Sequence, residues 1–429
     1  MLITLTVLSL LLFLFVGMPV GFALGVSGLI GLYAQGGIDA VLSIMYTVPY
    51  RTAANYTLTT VPMFILMAQF IAGGGIVEEV FAAARRWLER LPGGLAIASI
   101  FAAAGIGAMS GSSTASAATM ASIAIPEMRK HGYSATVAAG VVTVAGTLAI
   151  MIPPSIGLVL YGIITENSVG RLLIAGLIPG IMTALIYCVG IILWSKAVPG
   201  IMPSPASGST WRERWRSLRP IWAFIVLALI VLGSMYVGLA TPTEAAAVGA
   251  FGALIIPLIR GRMSWDVFKE AVLKTIRITT MIFTIIIGAM VFGYFLTITQ
   301  ATQNLIVLIG NSNLPVWFVF GLILLLFLLL GCIMDQVAIL LISLPLVYPL
   351  VTALGFDPIW FGIICIKLGE IGLVTPPVGM NAYVVSASSG IPLETIFKGT
   401  GVMLIFEMFS FILLLSFPFL STWLPSMMF

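Results

Sequence analysis

Long apolar stretches, separated by short polar segments, run along almost the whole chain. A helix needs about 20 apolar residues to cross the hydrocarbon core of a bilayer. Stretches of that length recur from residue 2 to residue 420, and the longest polar segment is residues 198–219. Because irregular chain cannot satisfy its backbone groups in lipid, these stretches are predicted to be helices. The pattern therefore predicts an all-α polytopic membrane protein.

The composition agrees with that pattern and excludes an ordinary soluble enzyme. Of 429 residues, 60% are hydrophobic and 8% are charged, whereas soluble domains carry about 25% charged residues. The formal net charge of +4 does not indicate nucleic-acid binding, because Lys and Arg gather in the cytoplasmic loops of membrane proteins. The three cysteines lie in apolar stretches without paired spacing, which favours packing over disulfides or metal ligands: Cys188, Cys332 and Cys365.

Two parts of the chain share glycines and prolines at one constant offset. A shift of 223 positions (349 minus 126) brings five Gly or Pro residues of 126–154 onto five of 349–377. These residue types fix backbone geometry. We therefore interpret the agreement as two copies of one backbone plan, with chance in a Gly-rich protein as the alternative. The pairs are Pro126 and Pro349, Gly132 and Gly355, Gly146 and Gly369, Pro153 and Pro376, and Pro154 and Pro377.

The basic residues predict how the two copies are oriented. Basic groups flank both ends of the apolar stretch at 95–125, which residues 110–114 interrupt. The positive-inside rule places both groups in the cytoplasm, so this stretch is predicted to be a re-entrant hairpin. Counting onward, a second hairpin at 316–352 enters from the opposite side, and all 19 basic residues except three are cytoplasmic. Those three are Arg51, Arg171 and Lys367.

The two segments that contain Pro-Pro pairs then cross in opposite directions. The predicted fold is therefore an inverted-topology repeat with two re-entrant helical hairpins and two helices broken at Pro-Pro. Inverted repeats with broken helices are typical of secondary transporters, whose sites lie near the bilayer midplane where the repeats meet. The predicted units are N-terminal scaffold helices in 1–90, a first repeat in 91–196, a basic cytoplasmic loop in 197–219, connecting scaffold helices in 220–300 and the inverted second repeat in 301–429.

The hairpin tips carry candidate chemistry. The first tip, residues 107–114, reads GAMSGSST; unwound backbone and hydroxyl groups at membrane depth can replace the water shell of an ion, although small residues also serve helix packing. Asp335 stands alone in an apolar stretch, and the shift pairs it with Ser112. Burying this carboxylate costs about 2.5–3.5 kcal/mol, which favours ion or substrate handling over a structural pairing, for instance with Lys367.

The two Pro-Pro breaks are candidate cation sites. A proline removes a backbone N–H and clashes with the carbonyl of residue i−4, so the carbonyls of 149–152 and 372–375 are predicted to be free. Free carbonyls, with the Thr375 hydroxyl, suit a monovalent cation. A plain kink is the alternative, and the equivalent positions of the breaks favour the site.

Five motifs, in order and spacing, resemble the large membrane subunit of tripartite ATP-independent periplasmic (TRAP) transporters, DctM-like family, over about residues 15–420. The resemblance implies an elevator-type, sodium-coupled importer of small organic anions such as C4-dicarboxylates or sialic acids, in the bacterial inner membrane. It also implies two partners, a small four-helix membrane subunit and a soluble periplasmic binding protein. The motifs are PEMRKHGY at 126–133, IPPSI at 152–156, AGLIPG at 175–180, ATPTEAAA at 240–247 and TPPVG at 375–379.

The resemblance further implies two sodium sites and a substrate site, with no covalent cofactor. One sodium site is expected at the first tip and first break, and the second at the second break. Ala149 stands where the family commonly has Gly. The expected sodium ligands are Ser110, Ser113, Ala149, Ile152 and Pro154 in the first site and Gly372, Thr375 and Val378 in the second; the expected substrate contacts are Ser112, Asp335 and Asn381.

Other function classes find less support in the sequence. An intramembrane serine protease would need a base near the first tip, but the single histidine, His131, lies in a cytoplasmic loop on the count above. The chain has no Gly-x-x-x-x-Gly-Lys loop, which excludes an ATP-driven pump. The remaining alternatives are a passive channel and an ion-coupled anion transporter or exchanger of another inverted-repeat family, working without a binding protein.

Overall fold

Helices form nearly all of the regular structure. A computed structural model describes residues 2–203, 209–311 and 314–428, with the backbone alone at 108–110, and no β-strand occurs within these ranges. Seven of the described helices are long and apolar enough to cross a membrane, and two bent helix pairs raise that number to nine. The prediction of an all-α polytopic membrane protein is therefore confirmed.

The N-terminal part contains four helices, and the second is sharply kinked. The kink lies at Gly36 and Gly37, where Gly37 has φ 67°, a conformation that glycine adopts without steric cost. Residues 2–34 belong to two separate helices. These helices are α1 (Leu2–Phe15), α2 (Val20–Ala53), α3 (Thr60–Gly73) and α4 (Ile76–Leu88).

The next six helices contain a hairpin followed by a broken helix. Only two residues, Gly111 and Ser112, join the hairpin helices α5 and α6, which contact each other. The broken helix bends by 42° between α8 and α9. The six helices are α5 (Gly94–Ser110), α6 (Ser113–Lys130), α7 (Ala135–Ala145), α8 (Leu148–Met151), α9 (Ile156–Thr165) and α10 (Val169–Ala197).

Five helices follow the polar segment. Glu244 has a structural explanation here: Thr241 and Glu244 form a capping box at the start of a helix, in which each side chain satisfies a backbone N–H. These helices are α11 (Trp211–Leu218), α12 (Trp222–Tyr236), α13 (Pro242–Ile259), α14 (Trp265–Ile298) and α15 (Ala301–Gly310).

The C-terminal part repeats the hairpin and the broken helix. The connection between the hairpin helices is residues 332–335, and the break is residues 374–379. Both Pro-Pro peptide bonds, Pro153–Pro154 and Pro376–Pro377, are cis. The helices are α16 (Val316–Gly331), α17 (Gln336–Ala353), α18 (Pro358–Leu373), α19 (Met380–Ser389), α20 (Leu393–Ser416) and α21 (Phe419–Met428).

The shift of 223 residues relates the helices themselves. Helices α6 and α17 begin at Ser113 and Gln336, and α7 and α18 begin at Ala135 and Pro358. The same shift brings the starts of α5, α9 and α10 within one residue of the starts of α16, α19 and α20. It also brings the starts of α2 and α4 within two residues of the starts of α13 and α15. Two copies of one backbone plan explain this agreement better than chance does.

The long outer helices pack in a pattern that follows the same shift. Helix α2 packs on α14, and α13 packs on α3. Small residues allow both contacts: a Cβ on Gly28 would lie 2.9 Å from the backbone of Phe292, and one on Gly249 would lie 2.6 Å from the sulfur of Met67. The outer helices thus also show two related halves, while the repeat bounds 91–196 and 301–429 stay a prediction.

The two hairpin units interlock in the centre. Helix α9 packs on α17 and α19 packs on α6, so each helix after a break contacts the second hairpin helix of the other copy. Helix α7 packs along α20, and α10 packs on α18. Every residue of 360–373 in α18 is buried. The breaks and tips therefore lie where the two copies meet.

Candidate functional site

The first hairpin tip packs directly against the first break. A Cβ on Gly107 would lie 2.2 Å from the Cα of Ala149, and one on Gly146 would lie 2.9 Å from the carbonyl oxygen of Ser113. Gly111, which ends α5, has φ 57°, the left-handed region that glycine adopts most readily. Backbones can approach this closely only because glycine has no side chain. The structure thus brings the predicted ligands of the first tip and the first break together.

The second tip packs against the second broken helix in the same way. A Cβ on Gly372 would lie 2.5 Å from the backbone of Gly331. Gly369 is equally close to the second tip, because a Cβ there would lie 2.0 Å from Oε1 of Gln336. Gln336 is the residue that the shift pairs with Ser113. The same tip-to-break contact therefore occurs once in each copy.

The first break leaves carbonyls without helical donors, as its prolines predict. The N–H of Ile152 still donates to the carbonyl of Leu148 at 3.1 Å. The two residues after Ile152 are prolines, so no N–H exists at the positions that would donate to Ala149 and Ile150. Gly111 joins the tip to this region, because a Cβ on it would lie 3.3 Å from the carbonyl oxygen of Pro154.

At the second break, the prediction of free carbonyls is wrong for Gly372, whose carbonyl accepts a hydrogen bond. The N–H of Thr375 donates to the carbonyl of Gly372 at 3.0 Å, and the Thr375 hydroxyl donates to the carbonyl of Ile371 at 2.5 Å. A carbonyl has two lone pairs, so Gly372 can still accept another partner. Pro376 and Pro377 are exposed. The expected ligands Gly372, Thr375 and Val378 thus lie along one short stretch of chain, in which Gly372 is buried and Thr375 and Val378 are partly exposed.

The tip residues Ser112 and Asp335 have equivalent structural roles. Ser112 is the N-cap of α6, and its hydroxyl accepts from the N–H of Ala115 at 3.4 Å. Asp335 is the N-cap of α17, and its carboxylate accepts from the N–H of Val337 at 3.2 Å. Both are partly buried. Capping alone is enough to explain why a polar residue stands at each of these positions. The predicted contact with substrate is a second role for the same two residues.

Asn381 is fully buried in α19, and neither amide atom has a hydrogen-bond partner among the described residues. Because α19 packs on α6, Asn381 belongs to the region where the copies meet. The side chain of Ser110 lies outside the described part of the chain, whereas Ser113 is buried beside the first break.

A buried ion pair lies next to both breaks. Lys367 Nζ on α18 donates to Glu407 on α20 at 2.7 Å and to Thr183 on α10 at 3.1 Å. Lys367 is 1% exposed and Glu407 is fully buried. Tyr187 donates to Glu407 as well, and its hydroxyl lies 3.1 Å from that of Thr147. Thr147 directly precedes α8, so this network connects the first broken helix to the second.

Sequence reasoning missed the role of Glu407. It weighed a pairing of Lys367 with Asp335, and the structure shows Glu407 as the partner. A usable signal was present, since Glu407 is the single charged residue in the apolar stretch 399–416. The rule that marks Asp335 as a candidate applies equally to Glu407.

Comparison with known proteins identifies the family. Residues 7–420 match the family model described as "Tripartite ATP-independent periplasmic transporter, DctM component". The chain belongs to the DctM family. This DctM-family chain is 36% identical over 391 residues to a C4-dicarboxylate TRAP transporter large permease protein of Pseudomonas aeruginosa, covering 90% of each. It is 31% identical over 434 residues to the sialic acid TRAP transporter large permease protein of Vibrio cholerae, covering 96% of each.

A solved structure shares the fold. The YdaH transporter of Alcanivorax borkumensis matches with a TM-score of 0.59 and 13% sequence identity, covering 89% of each chain. The DctM-family chain is thus a large permease subunit of a transporter and a multi-pass membrane protein, and the relatives in its family are permeases rather than enzymes. The resemblance inferred from the five motifs is confirmed.

Proposed function

We propose that this subunit imports a small organic anion across the bacterial inner membrane and is driven by sodium bound at the two breaks. One observation carries the proposal: each hairpin tip packs on a Pro-Pro break, once in each copy, where the copies interlock. In secondary transporters, unwound carbonyls of such breaks coordinate sodium near the midplane.

The available oxygens favour a monovalent cation. The proposed first site uses backbone oxygens of Ala149, Ile152 and Pro154 with the hydroxyls of Ser110 and Ser113. Within the described ranges, no three His, Cys, Asp or Glu side chains come together to hold a metal ion. A site made of carbonyl and hydroxyl oxygens lacks the ligands that transition metals prefer.

The second proposed site uses Gly372, Thr375 and Val378. Two such sites place positive charge close to the hairpin tips. A carboxylate enters an apolar region more readily beside bound cations. Binding of sodium and of an anionic solute would therefore support each other.

The solute is proposed to bind between the tips, at Ser112, Asp335 and Asn381. The N-termini of α6 and α17 lie at these tips, and helix N-termini favour anionic groups. Asp335 would accept hydrogen bonds from hydroxyl groups of the solute. The relatives named for C4-dicarboxylate and sialic acid support a carboxylate as the solute, because both are organic acids.

Helix length supports the re-entrant arrangement for the first helix of each hairpin. Helices α5 and α16 have 17 and 16 residues, fewer than the roughly 20 that cross a bilayer, whereas α17 has 18 and is among the helices long enough to cross. In the proposed cycle the two hairpin units and their breaks move together against the outer helices, as an elevator. The family description, tripartite and periplasmic, supports two partners: a small four-helix membrane subunit and a periplasmic binding protein that delivers the solute.

The test is uptake into proteoliposomes that contain this chain with its small membrane subunit. Uptake is measured with and without the binding protein, under an inward sodium gradient, an equal potassium gradient and no gradient. We expect uptake only with sodium and with the binding protein. Sodium-driven uptake without a binding protein would instead favour an exchanger of another inverted-repeat family. Equal uptake under all gradients would indicate a passive channel.

A further inference from the structure

Two stripes of side chains run along α11, one apolar and one basic. Each consists of residues at positions i, i+4 and i+7, a spacing that places them on one face of a helix. Trp211 and Trp215 are 63% and 64% exposed, and the three arginines are exposed as well. The apolar stripe is Trp211, Trp215 and Leu218, and the basic stripe is Arg212, Arg216 and Arg219.

The basic stripe lacks counter-charges. Within the described ranges, none of its three arginines forms an ion pair. The acid on the same helix, Glu213, uses its carboxylate in a capping box with Thr210. Residues 209–219 include four arginines and one glutamate, which gives a net charge of +3 (4 minus 1). The stripe therefore offers guanidinium groups to an anionic partner, and arginine binds phosphate through paired hydrogen bonds.

Helix α11 is fixed to the end of α4, in the segment that the sequence predicts to be cytoplasmic. Trp87 of α4 packs edge-on against Trp211 and Trp215, with ring centroids 6.3 and 5.7 Å apart. Its indole N–H donates to the carbonyl of Arg214 at 3.2 Å. The chain bends by 59° between α11 and α12, so α11 does not continue the direction of the next helix. A helix with tryptophans on one face and arginines on another is typical of the membrane interface.

An apolar groove lies beside the two stripes. It has a volume of about 420 Å³ and is bounded by α4, α5 and the end of α11. Apolar side chains line it, among them Ala84, Trp87, Phe101 and Leu218. One turn of an α-helix, about 10 Å wide and 5.4 Å long, fills about 400 Å³. The groove is therefore too small for a transmembrane helix of a partner protein, and it suits a hydrocarbon chain.

Leu218 connects the groove to the stripes, because it belongs to the apolar stripe and also lines the groove, and Arg219 follows it directly. A ligand with a hydrocarbon chain and a phosphate fits both features at once. We propose that the groove and the basic stripe form a binding site for an anionic phospholipid, with an acyl chain in the groove and the headgroup beside the arginines. The site is separate from the tips and breaks, so it does not depend on the proposed sodium coupling.

The test measures binding of phosphatidylglycerol with brominated acyl chains to the full chain in neutral detergent, as quenching of tryptophan fluorescence. Phosphatidylcholine with the same chains has no net charge and is the reference lipid. A basic residue near an anionic lipid surface contributes about fivefold in affinity. Replacing all three arginines of the basic stripe with glutamine should therefore lower the affinity for phosphatidylglycerol by up to about a hundredfold. The control with equal charge loss replaces three exposed residues of α14 and should bind like the wild type: Lys269→Gln, Lys274→Gln and Arg277→Gln.

A second pair of variants tests the place of the acyl chain. Ala84→Leu puts a larger side chain into the groove and should weaken phosphatidylglycerol binding at least several-fold. Ala82→Leu makes the same change at an exposed position of α4 outside the groove and should bind like the wild type. The arginine variants alter exposed side chains alone, so they test the proposal even if Ala84→Leu fails to fold.

Four results would overturn the proposal. The first is equal affinity of the wild type for the two lipids, and the second is unchanged affinity in the triple arginine variant. The third is displacement of the lipid by soluble glycerol phosphate, which would show a phosphate site without an acyl chain. The fourth is loss of lipid binding when the small membrane subunit is added, which would assign this face to a protein partner.

Discussion

The first and second Pro-Pro breaks share a backbone plan and differ in their surroundings. Pro153 and Pro154 are buried, and side chains of α3 and α12 cover Pro154. Pro376 and Pro377 are exposed. The covering side chains include Met67, Ile71, Phe224 and Leu227.

The difference shows that the outer helices, rather than the break itself, decide which break is covered. At both breaks, a hairpin tip packs against the broken helix in the same way, so this contact does not distinguish the two copies. In inverted-repeat transporters, a change of access side moves one repeat or bundle against the other around the site. In the proposed cycle, the covered first break and the open second break thus represent one of two related states.

The breaks also differ in charge. The shift pairs Thr147 before the first break with Glu370 before the second, and Ser155 with Val378. The buried ion pair of Lys367 and Glu407 links these two regions through Tyr187.

The largest effect is expected from Lys367→Met, because it leaves Glu407 buried without its counter-charge. Removing one partner of a buried pair costs about 3–5 kcal/mol, measured as the free energy of unfolding in detergent. The control Lys398→Met removes an exposed i,i+4 pair with Glu394, and such pairs contribute about 0.3–0.5 kcal/mol.

A double variant sharpens this result. Lys367→Met combined with Glu407→Leu removes both charges and should recover most of the lost stability, because apolar residues can replace a buried pair. Equal losses in the single and the double variant would contradict the link, since the cost would then come from packing alone.

The ion pair also shows which features the sequence predicts and which it does not. Gly and Pro determine local backbone geometry, and the shift that they define relates the helix starts of the two hairpin units to within one residue. Which carboxylate meets Lys367 depends on how α18 and α20 pack, and no local rule supplies that. The apolar pattern alone therefore found Asp335 but not the pairing with Glu407.

The candidate site, too, has features that the sequence predicts and features that it does not. The contact of Gly107 with Ala149 and that of Gly331 with Gly372 follow from small residues whose positions agree within one residue under the shift. The burial of one break and the exposure of the other could not be predicted, because both are determined by helices distant in the sequence. Residues before α5 match the second half too, although their few shared glycines and prolines gave no signal.

The next effect is overpacking at the tips, where the two breaks should respond unequally. Gly107→Ala places a Cβ 2.2 Å from the backbone of Ala149, and Gly372→Ala places one 2.5 Å from Gly331. Overpacking costs about 1–3 kcal/mol. We expect Gly107→Ala to lose more stability and uptake, because the first break is covered and cannot move aside.

The control for this comparison is Gly401→Ala on α20, where a Cβ meets no atom within 4 Å. This change should be neutral or stabilising, since alanine favours a helix over glycine by about 1 kcal/mol. A larger loss for Gly372→Ala than for Gly107→Ala would show that the open break is the less adaptable of the two.

A smaller stability effect is expected at the helix caps, where charge and capping can be separated. Ser112→Ala and Asp335→Ala should each cost about 1 kcal/mol through loss of an N-cap. Asp335→Asn keeps a good cap and removes the charge. We expect Asp335→Asn to unfold like the wild type and to lose uptake. Wild-type uptake by Asp335→Asn would show that Asp335 acts as a helix cap alone.

The smallest effect is expected from Thr375→Val at the open break. Its hydroxyl donates to the carbonyl of Ile371 and keeps its lone pairs for a cation. Losing one neutral ligand, and about 1 kcal/mol with it, should raise the sodium concentration for half-maximal uptake several-fold and leave the maximal rate unchanged. Thr375→Ser should retain the wild-type sodium curve. Because the first site does not contain Thr375, an unchanged curve in Thr375→Val would assign sodium dependence to the covered break alone.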